Sequence, residues 1–137
     1  MTNAEKTARY LATMGPFYVL TCDGDQPKGR AFSWFDFIDN RIWFGTGTFK
    51  NVYKQLQANP KVEILAVKGL NFVRYDGVAR FIHKGEEPFD LLNAHVRRDS
   101  RMPEVYDANG WESVFFTIEG GHVEVRHSLE LVEEYDV

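Results

Sequence analysis

The chain alternates short apolar runs with polar, glycine-rich breaks, and the spacing of the apolar positions changes from run to run. Over residues 3–14, Ala4, Ala8, Leu11 and Ala12 share one face at helical spacing, and Gly15-Pro16 ends the run, which predicts a helix. Residues 17–22 read as a first strand, and Asp23-Gly24-Asp25-Gln26-Pro27 carries the strongest hairpin signal in the chain. A second strand is expected over 29–38, a two-residue turn at Asp39-Asn40, and a third strand over 41–45. Phe49, Val52, Tyr53 and Leu56 return to helical spacing and predict a helix over 49–58, closed by Asn59-Pro60. Strands are expected at 62–67 and 72–82, the second bulged at Gly77. A further helix is expected over 86–98, with Phe89, Leu92, His95 and Val96 on one side. Residues 99–112 read as irregular. Strands at 114–118 and 122–126 flank a turn at Glu119-Gly120-Gly121, and an acidic tail from Leu129 reads as a solvated end.

Six or seven short strands joined mostly by hairpins predict a mainly β, α+β domain: an antiparallel barrel with peripheral helices at its ends and rim. At 137 residues, with no repeat or linker, one domain spanning 1–137 is expected. The strand over 29–38 does not alternate cleanly, because Phe32, Trp34, Phe35 and Phe37 place large apolar groups on both faces. Antiparallel strands normally show one face to water. Its outer face is therefore expected to be covered by a second subunit or a ligand, with a dimer the first choice. An aromatic share of 15% fits a packed core or subunit interface.

The net charge of −4 argues against non-specific nucleic-acid binding and against an anionic membrane surface as partner. The single cysteine, Cys22, allows no intrachain disulfide and fits a reducing compartment. It ends an apolar run and reads as a half-buried, inert thiol. Residues 1–14 lack the apolar core of a leader peptide, and no apolar run approaches spanning length, so a cytoplasmic setting is expected. His83, His95, His122 and His127 show no metal-ligand spacing, and no metal site is expected. His95 reads as a satisfied, half-buried residue, and Arg97, Arg98 and Arg101 as a solvated cluster. Ser33 and Ser113 lack the context of a nucleophile.

The candidate chemistry lies where the third strand runs through Gly45-Thr46-Gly47-Thr48-Phe49-Lys50-Asn51 into a helix. A helix N-terminus offers unpaired N–H groups and the positive end of a dipole. Two Thr hydroxyls, a close-approach glycine and a Lys at that point make a seat for a phosphate.

These residues sit within a wider pattern: Phe17-Tyr18-Val19-Leu20-Thr21, then Asp25-Gln26-Pro27 with Arg30-Ala31-Phe32, then Trp43-Phe44-Gly45-Thr46, Lys50, Gln55-Leu56 and Asn59-Pro60-Lys61-Val62-Glu63. The ordered set resembles the pyridoxamine 5′-phosphate oxidase-like, FMN-binding split-barrel family over nearly the whole chain. The resemblance implies a homodimer with FMN in the groove between two barrels. It implies that Arg30 reaches the FMN phosphate and that the backbone of Ala31, Phe32 and Ser33 runs beside the isoalloxazine ring. Thr46 and Thr48 would occupy the phosphate turn, Lys50 and Asn51 would open the helix, and Gln55 would lie near the flavin. Asn51 stands where the family often carries a second basic residue. The chain also lacks the family's longer C-terminal extension with substrate-holding Arg and His residues, so pyridoxal phosphate synthesis is not expected. The short, nitroimidazole-reductase-like members are the nearest in pattern. The expected activity is an FMN-dependent oxidoreductase acting on an unassigned small molecule, with reduced nicotinamide as electron donor. Alternatives are a non-catalytic flavin or haem binding or storage protein, or a deazaflavin-dependent reductase. Trp111 is a candidate wall over the flavin from the partner subunit.

Overall fold

The computed structural model describes residues 1–137, and in it the chain forms α1 (Asn3–Met14), β1 (Phe17–Asp23), β2 (Gln26–Phe32), β3 (Phe35–Ile38), β4 (Arg41–Gly47), α2 (Asn51–Ala58), β5 (Lys61–Lys68), β6 (Asn71–Ile82), α3 (Phe89–Asp99), α4 (Met102–Asn109), β7 (Ser113–His127) and β8 (Glu130–Asp136). All eight strands join one antiparallel sheet in the order β2-β1-β5-β6-β7-β4-β3, with β8 added to the far half of β7. The two ends of this order, β2 and β3, are consecutive in the chain and separated only by Ser33 and Trp34. Three virtual bonds from Phe32 to Phe35 span at most about 11 Å. The sheet must therefore roll up, and its edges meet at that corner without pairing, which is a split barrel.

Alternation along the strands builds two cores from the same elements. Ile42 and Phe44 of β4 and Phe116 of β7 face the barrel interior, with Phe17, Val19, Ile64, Val73 and Tyr75. Leu11 of α1 and Val52 and Leu56 of α2 plug this core. Trp43 and Phe115, one residue out of phase, point to the other face, where they pack with Ile82 against Phe89 and Leu92 of α3. Trp34, Ile38 and Val96 border this smaller core. No helix is long and apolar enough to cross a membrane.

Several elements differ from the sequence reading. The expected strand over 29–38 is two strands, broken at Ser33-Trp34. On its apolar outer side Trp34 and Ile38 are partly buried against the small core to which α3 contributes Phe89 and Leu92. Gly120 and Gly121 do not end a strand: β7 runs through them. A Cβ on Gly77 would lie 2.5 Å from Ile118 Cγ2, and one on Gly121 2.8 Å from the Tyr75 ring. These glycines let β6 and β7 close up at a bend where the register shifts between Asp76 and Val78. The acidic tail is strand β8. Its charge hides the alternation that turns Glu133 and Tyr135 toward α1, where Lys6 and Tyr10 bind the Glu133 carboxylate and Thr7 meets the Tyr135 hydroxyl at 2.9 Å. Helix α3 begins at Phe89 and not at residue 86, because the residue before a proline disfavours the helical region and Pro88 stands there. Residues 102–109 form α4, with Pro103 near its start and Gly110 left-handed at φ 68° just past its end.

Candidate functional site

A cleft of about 630 Å³ opens between the barrel corner at Ser33-Trp34 and helices α3 and α4. One wall is polar and belongs to the barrel. β2 is the edge strand paired to β1, and Arg30 lies opposite Val19 on the inward side. Its guanidinium is half-buried. Nη1 donates to the Val19 carbonyl at 3.2 Å and to Thr21 Oγ1 at 2.7 Å, and Nη2 donates to Gln55 Oε1 at 2.7 Å. Burial lowers the pKa of Arg30 from its ordinary value, but an arginine stays charged in proteins. Three N–H groups are spent in these bonds, which leaves Nε–H and one Nη2–H without a protein acceptor.

Thr46 lies near the end of β4, where the ladder to Val114 holds it. It is only 5% exposed, and its hydroxyl has no hydrogen-bond partner. A buried hydroxyl without a partner is costly, on the order of 1–3 kcal/mol. The chain then turns through Thr48-Phe49-Lys50. A Cβ on Gly47 would sit 2.4 Å from the Phe49 ring, so only glycine lets Phe49 fold back against β4. Lys50 is the N-cap of α2 and makes no side-chain capping bond. The first intrahelical bond runs from Lys54 N–H to the Lys50 carbonyl at 3.3 Å, so the amides of Asn51, Val52 and Tyr53 precede the ladder. The Lys50 ammonium stands 5.8 Å from the Tyr106 ring centroid. Arg30 and Lys50 are the only charged side chains lining the cleft, and no carboxylate lines it. The charge balance of this wall favours an anion.

The other wall is apolar and helical. Trp34, Val96, Met102, Pro103, Tyr106 and Phe115 line it. Trp34 packs on Phe115 with ring centroids 5.9 Å apart and donates Nε1–H to Asp99 at 3.0 Å. A second tether joins His95 Nδ1 to Asp36 at 2.5 Å. Arg97 of α3 grips Asp107 of α4 with two bonds of 2.8 and 3.1 Å. The Arg98 guanidinium, then the Trp34 N–H, hold the Asp99 carboxyl below the usual carboxylate range, and Arg97 does the same for Asp107.

Of the residues expected at the site, Arg30, Ala31, Phe32, Ser33, Thr46, Lys50 and Asn51 line this cleft together. Thr48 does not: its amide donates to the Glu112 carbonyl at 3.0 Å and ties the turn to the start of β7. Gln55 does not line it either and stands behind Arg30. Trp111 lies outside the lining, stacked on Phe49 at 4.2 Å and 23°. Thr21 and the helical wall were missed. Thr21 carried a signal, a polar residue in phase with the inward Phe17 and Val19 of β1. Tyr106 carried less, because only Pro103 and Tyr106 are buried in the eight-residue α4. No group of three or more His, Cys, Asp or Glu is placed to hold a metal ion.

The family model for pyridoxamine 5′-phosphate oxidase matches residues 4–113. No curated protein matches the sequence. Solved structures share the fold at low identity. A NimC/NimA family protein from Clostridium acetobutylicum is 20% identical, with a TM-score of 0.78 over 100% of this chain and 95% of that one. A pyridoxamine 5′-phosphate oxidase-related, FMN-binding protein from Nostoc punctiforme is 13% identical, with a TM-score of 0.65 over 100% and 97%. HutZ, a haem storage protein from Vibrio cholerae, is 16% identical, with a TM-score of 0.63 over 95% and 99%.

Proposed function

Because the chain belongs to the pyridoxamine 5′-phosphate oxidase family, we propose that its cleft binds FMN and that the protein is a flavin-dependent oxidoreductase acting on a small molecule. The observation that carries this reading is the buried, unpartnered hydroxyl of Thr46 in a cleft whose only charges are Arg30 and Lys50. The residues fit the cofactor. Arg30 offers its two spare N–H groups to the phosphate, Thr46 its hydroxyl, Lys50 its ammonium and the start of α2 its amides. Backbone groups of Ala31–Ser33 would lie beside the ring, and Trp34, Tyr106 and Phe115, which also line the cleft, would offer it apolar contacts. When bound, FMN supplies the hydride and electron chemistry, and the chain supplies orientation and shielding from water. The redox step therefore requires no catalytic side chain. A reduced nicotinamide is the proposed electron donor.

A homodimer is part of the proposal. The cleft is open, and Met102, at its rim, is 49% exposed. By strand register the cleft residue Ala31 lies beside Tyr18, itself 49% exposed, and Tyr18 lies beside Leu65. This outward apolar row runs directly from the cleft and suits a second copy.

A haem reading has weaker support. No His or Cys lines the cleft, and the nearby His95 is engaged with Asp36. The test is an absorption spectrum of the freshly purified protein, followed by titration with FMN. Flavin bands and one FMN per chain support the proposal. Arg30→Ala and Lys50→Ala should each weaken binding by about tenfold or more, the worth of a charge-assisted bond. A colourless protein that ignores FMN overturns it. A haem or deazaflavin spectrum redirects the assignment.

A further inference from the structure

Arg30 is unusual among the arginines of this chain. Arg9, Arg41, Arg74, Arg80, Arg97, Arg98 and Arg126 sit in ion pairs with carboxylates, and Arg101, which pairs with none, is exposed where Arg30 is half-buried. Arg30 sits in none, and its three acceptors, the Val19 carbonyl, Thr21 Oγ1 and Gln55 Oε1, are all neutral. Gln55 Oε1 also accepts the Thr21 hydroxyl proton at 2.7 Å, so one amide oxygen fixes both the hydroxyl and the guanidinium. The three groups come from β1, β2 and α2, which pack together in the barrel wall. Gln55 reaches them from the helix whose N-terminus faces the cleft.

This arrangement has two consequences. It holds the guanidinium in one orientation and leaves Nε–H and one Nη2–H unspent. It also supplies acceptors without supplying negative charge, so the full positive charge remains for a ligand. A carboxylate in place of Gln55 would make the same bonds and cancel that charge.

We propose that Gln55, with Thr21, is a positioning and specificity-determining residue: it presents Arg30 as an uncompensated cation and makes the site select the phosphorylated flavin over the unphosphorylated one. The inference rests on the FMN reading above and assigns Gln55 a role behind Arg30, away from the flavin ring. The phosphate carries between one and two negative charges near neutral pH, whereas the ring and ribityl chain carry none.

The test compares FMN with riboflavin as probes, titrated by fluorescence against the wild-type chain, Gln55→Glu, Thr21→Val and Thr21→Ser. Wild type should prefer FMN by about a hundredfold, the order expected for two charge-assisted bonds. Gln55→Glu should lose at least about tenfold in FMN affinity while riboflavin affinity stays level, and raising the salt concentration should shrink the gap. Thr21→Val should lose part of the preference, and Thr21→Ser, which restores the hydroxyl, should recover it. A purely structural role would move both flavins together. Circular dichroism and the melting temperature of each variant identify any that fails to fold, and the Thr21 pair then decides.

If wild type binds FMN and the preference survives in Gln55→Glu and Thr21→Val, the inference is overturned and the FMN reading stands. If wild type binds both flavins alike, the inference falls together with the phosphate seat at Arg30, Thr46 and Lys50, and flavin binding alone stands. If wild type binds neither, both fall.

Discussion

The two walls of the cleft are built on opposite plans. The barrel wall is a hydrogen-bonded sheet whose polar groups are left partly unsatisfied: Thr46 has no partner, and Arg30 keeps two N–H groups free. The helical wall has its polar groups matched, Trp34 with Asp99, His95 with Asp36 and Arg97 with Asp107, and it lies over an apolar core of its own. One wall leaves polar groups unspent, and the other spends them on holding its own shape. Damage to the first should therefore cost affinity, and damage to the second should cost stability.

The largest expected effect breaks the helical wall. Leu92 is fully buried beneath α3, against Trp43 and Phe115. Leu92→Ala should cost about 2–5 kcal/mol in denaturant unfolding, with α3 and α4 losing amide protection first. An equal loss across the whole barrel would make the two cores one cooperative unit. Arg30→Ala should do the reverse. FMN affinity should fall by about tenfold or more, while the urea midpoint of the cofactor-free protein moves little, because the neutral acceptors behind Arg30 can turn to one another or to water.

These two mutations also separate what could be read in the sequence from what could not. The barrel wall was legible because its chemistry is local in the chain. Thr46, Lys50 and Asn51 lie within six residues of one another, and Arg30 sits in an ordered pattern with Pro27 and Phe32. Helix α4 was not legible, because an eight-residue helix with two buried positions has almost no periodicity to show. Its punctuation, Pro103 at the start and Gly110 past the end, was the only available signal. The hydrogen bonds of Gln55 were not legible for a different reason. Its partners Thr21 and Arg30 are 34 and 25 residues away, and only the barrel closure brings them together. Strand β8 was hidden by its charge, since four acidic residues over 130–136 read as solvated until Lys6 and Tyr10 are placed opposite Glu133.

Acid should separate the walls in a smaller way. Asp99 and Asp107 have pKa values depressed by their arginine partners and, for Asp99, by Trp34. Depressed carboxylates contribute stability above their unfolded pKa and lose it as the pH falls through the folded value. Arg30 and its acceptors include no group that titrates in that range. Between neutral pH and about pH 3, just below the unperturbed carboxylate range, amide protection should fall in α3 and α4 before it falls around β1 and β2. Hydrogen exchange measured at stepped pH checks this, and simultaneous loss would contradict it. Replacing Asp99 with Asn should reproduce part of the acid effect at neutral pH, seen as faster exchange in α3.

The most direct test of the central claim uses Thr46. If its buried hydroxyl is kept for a ligand, Thr46→Val should change two quantities in opposite directions. The cofactor-free protein should melt at the same temperature or higher, because a buried group without a partner has been removed. FMN should bind several-fold more weakly, as loss of one hydrogen bond to a charged phosphate implies. Paired melting curves and FMN titrations of wild type and Thr46→Val measure both. A variant that melts lower and binds FMN as tightly as wild type would contradict the account, because the hydroxyl would then serve the fold and not the ligand.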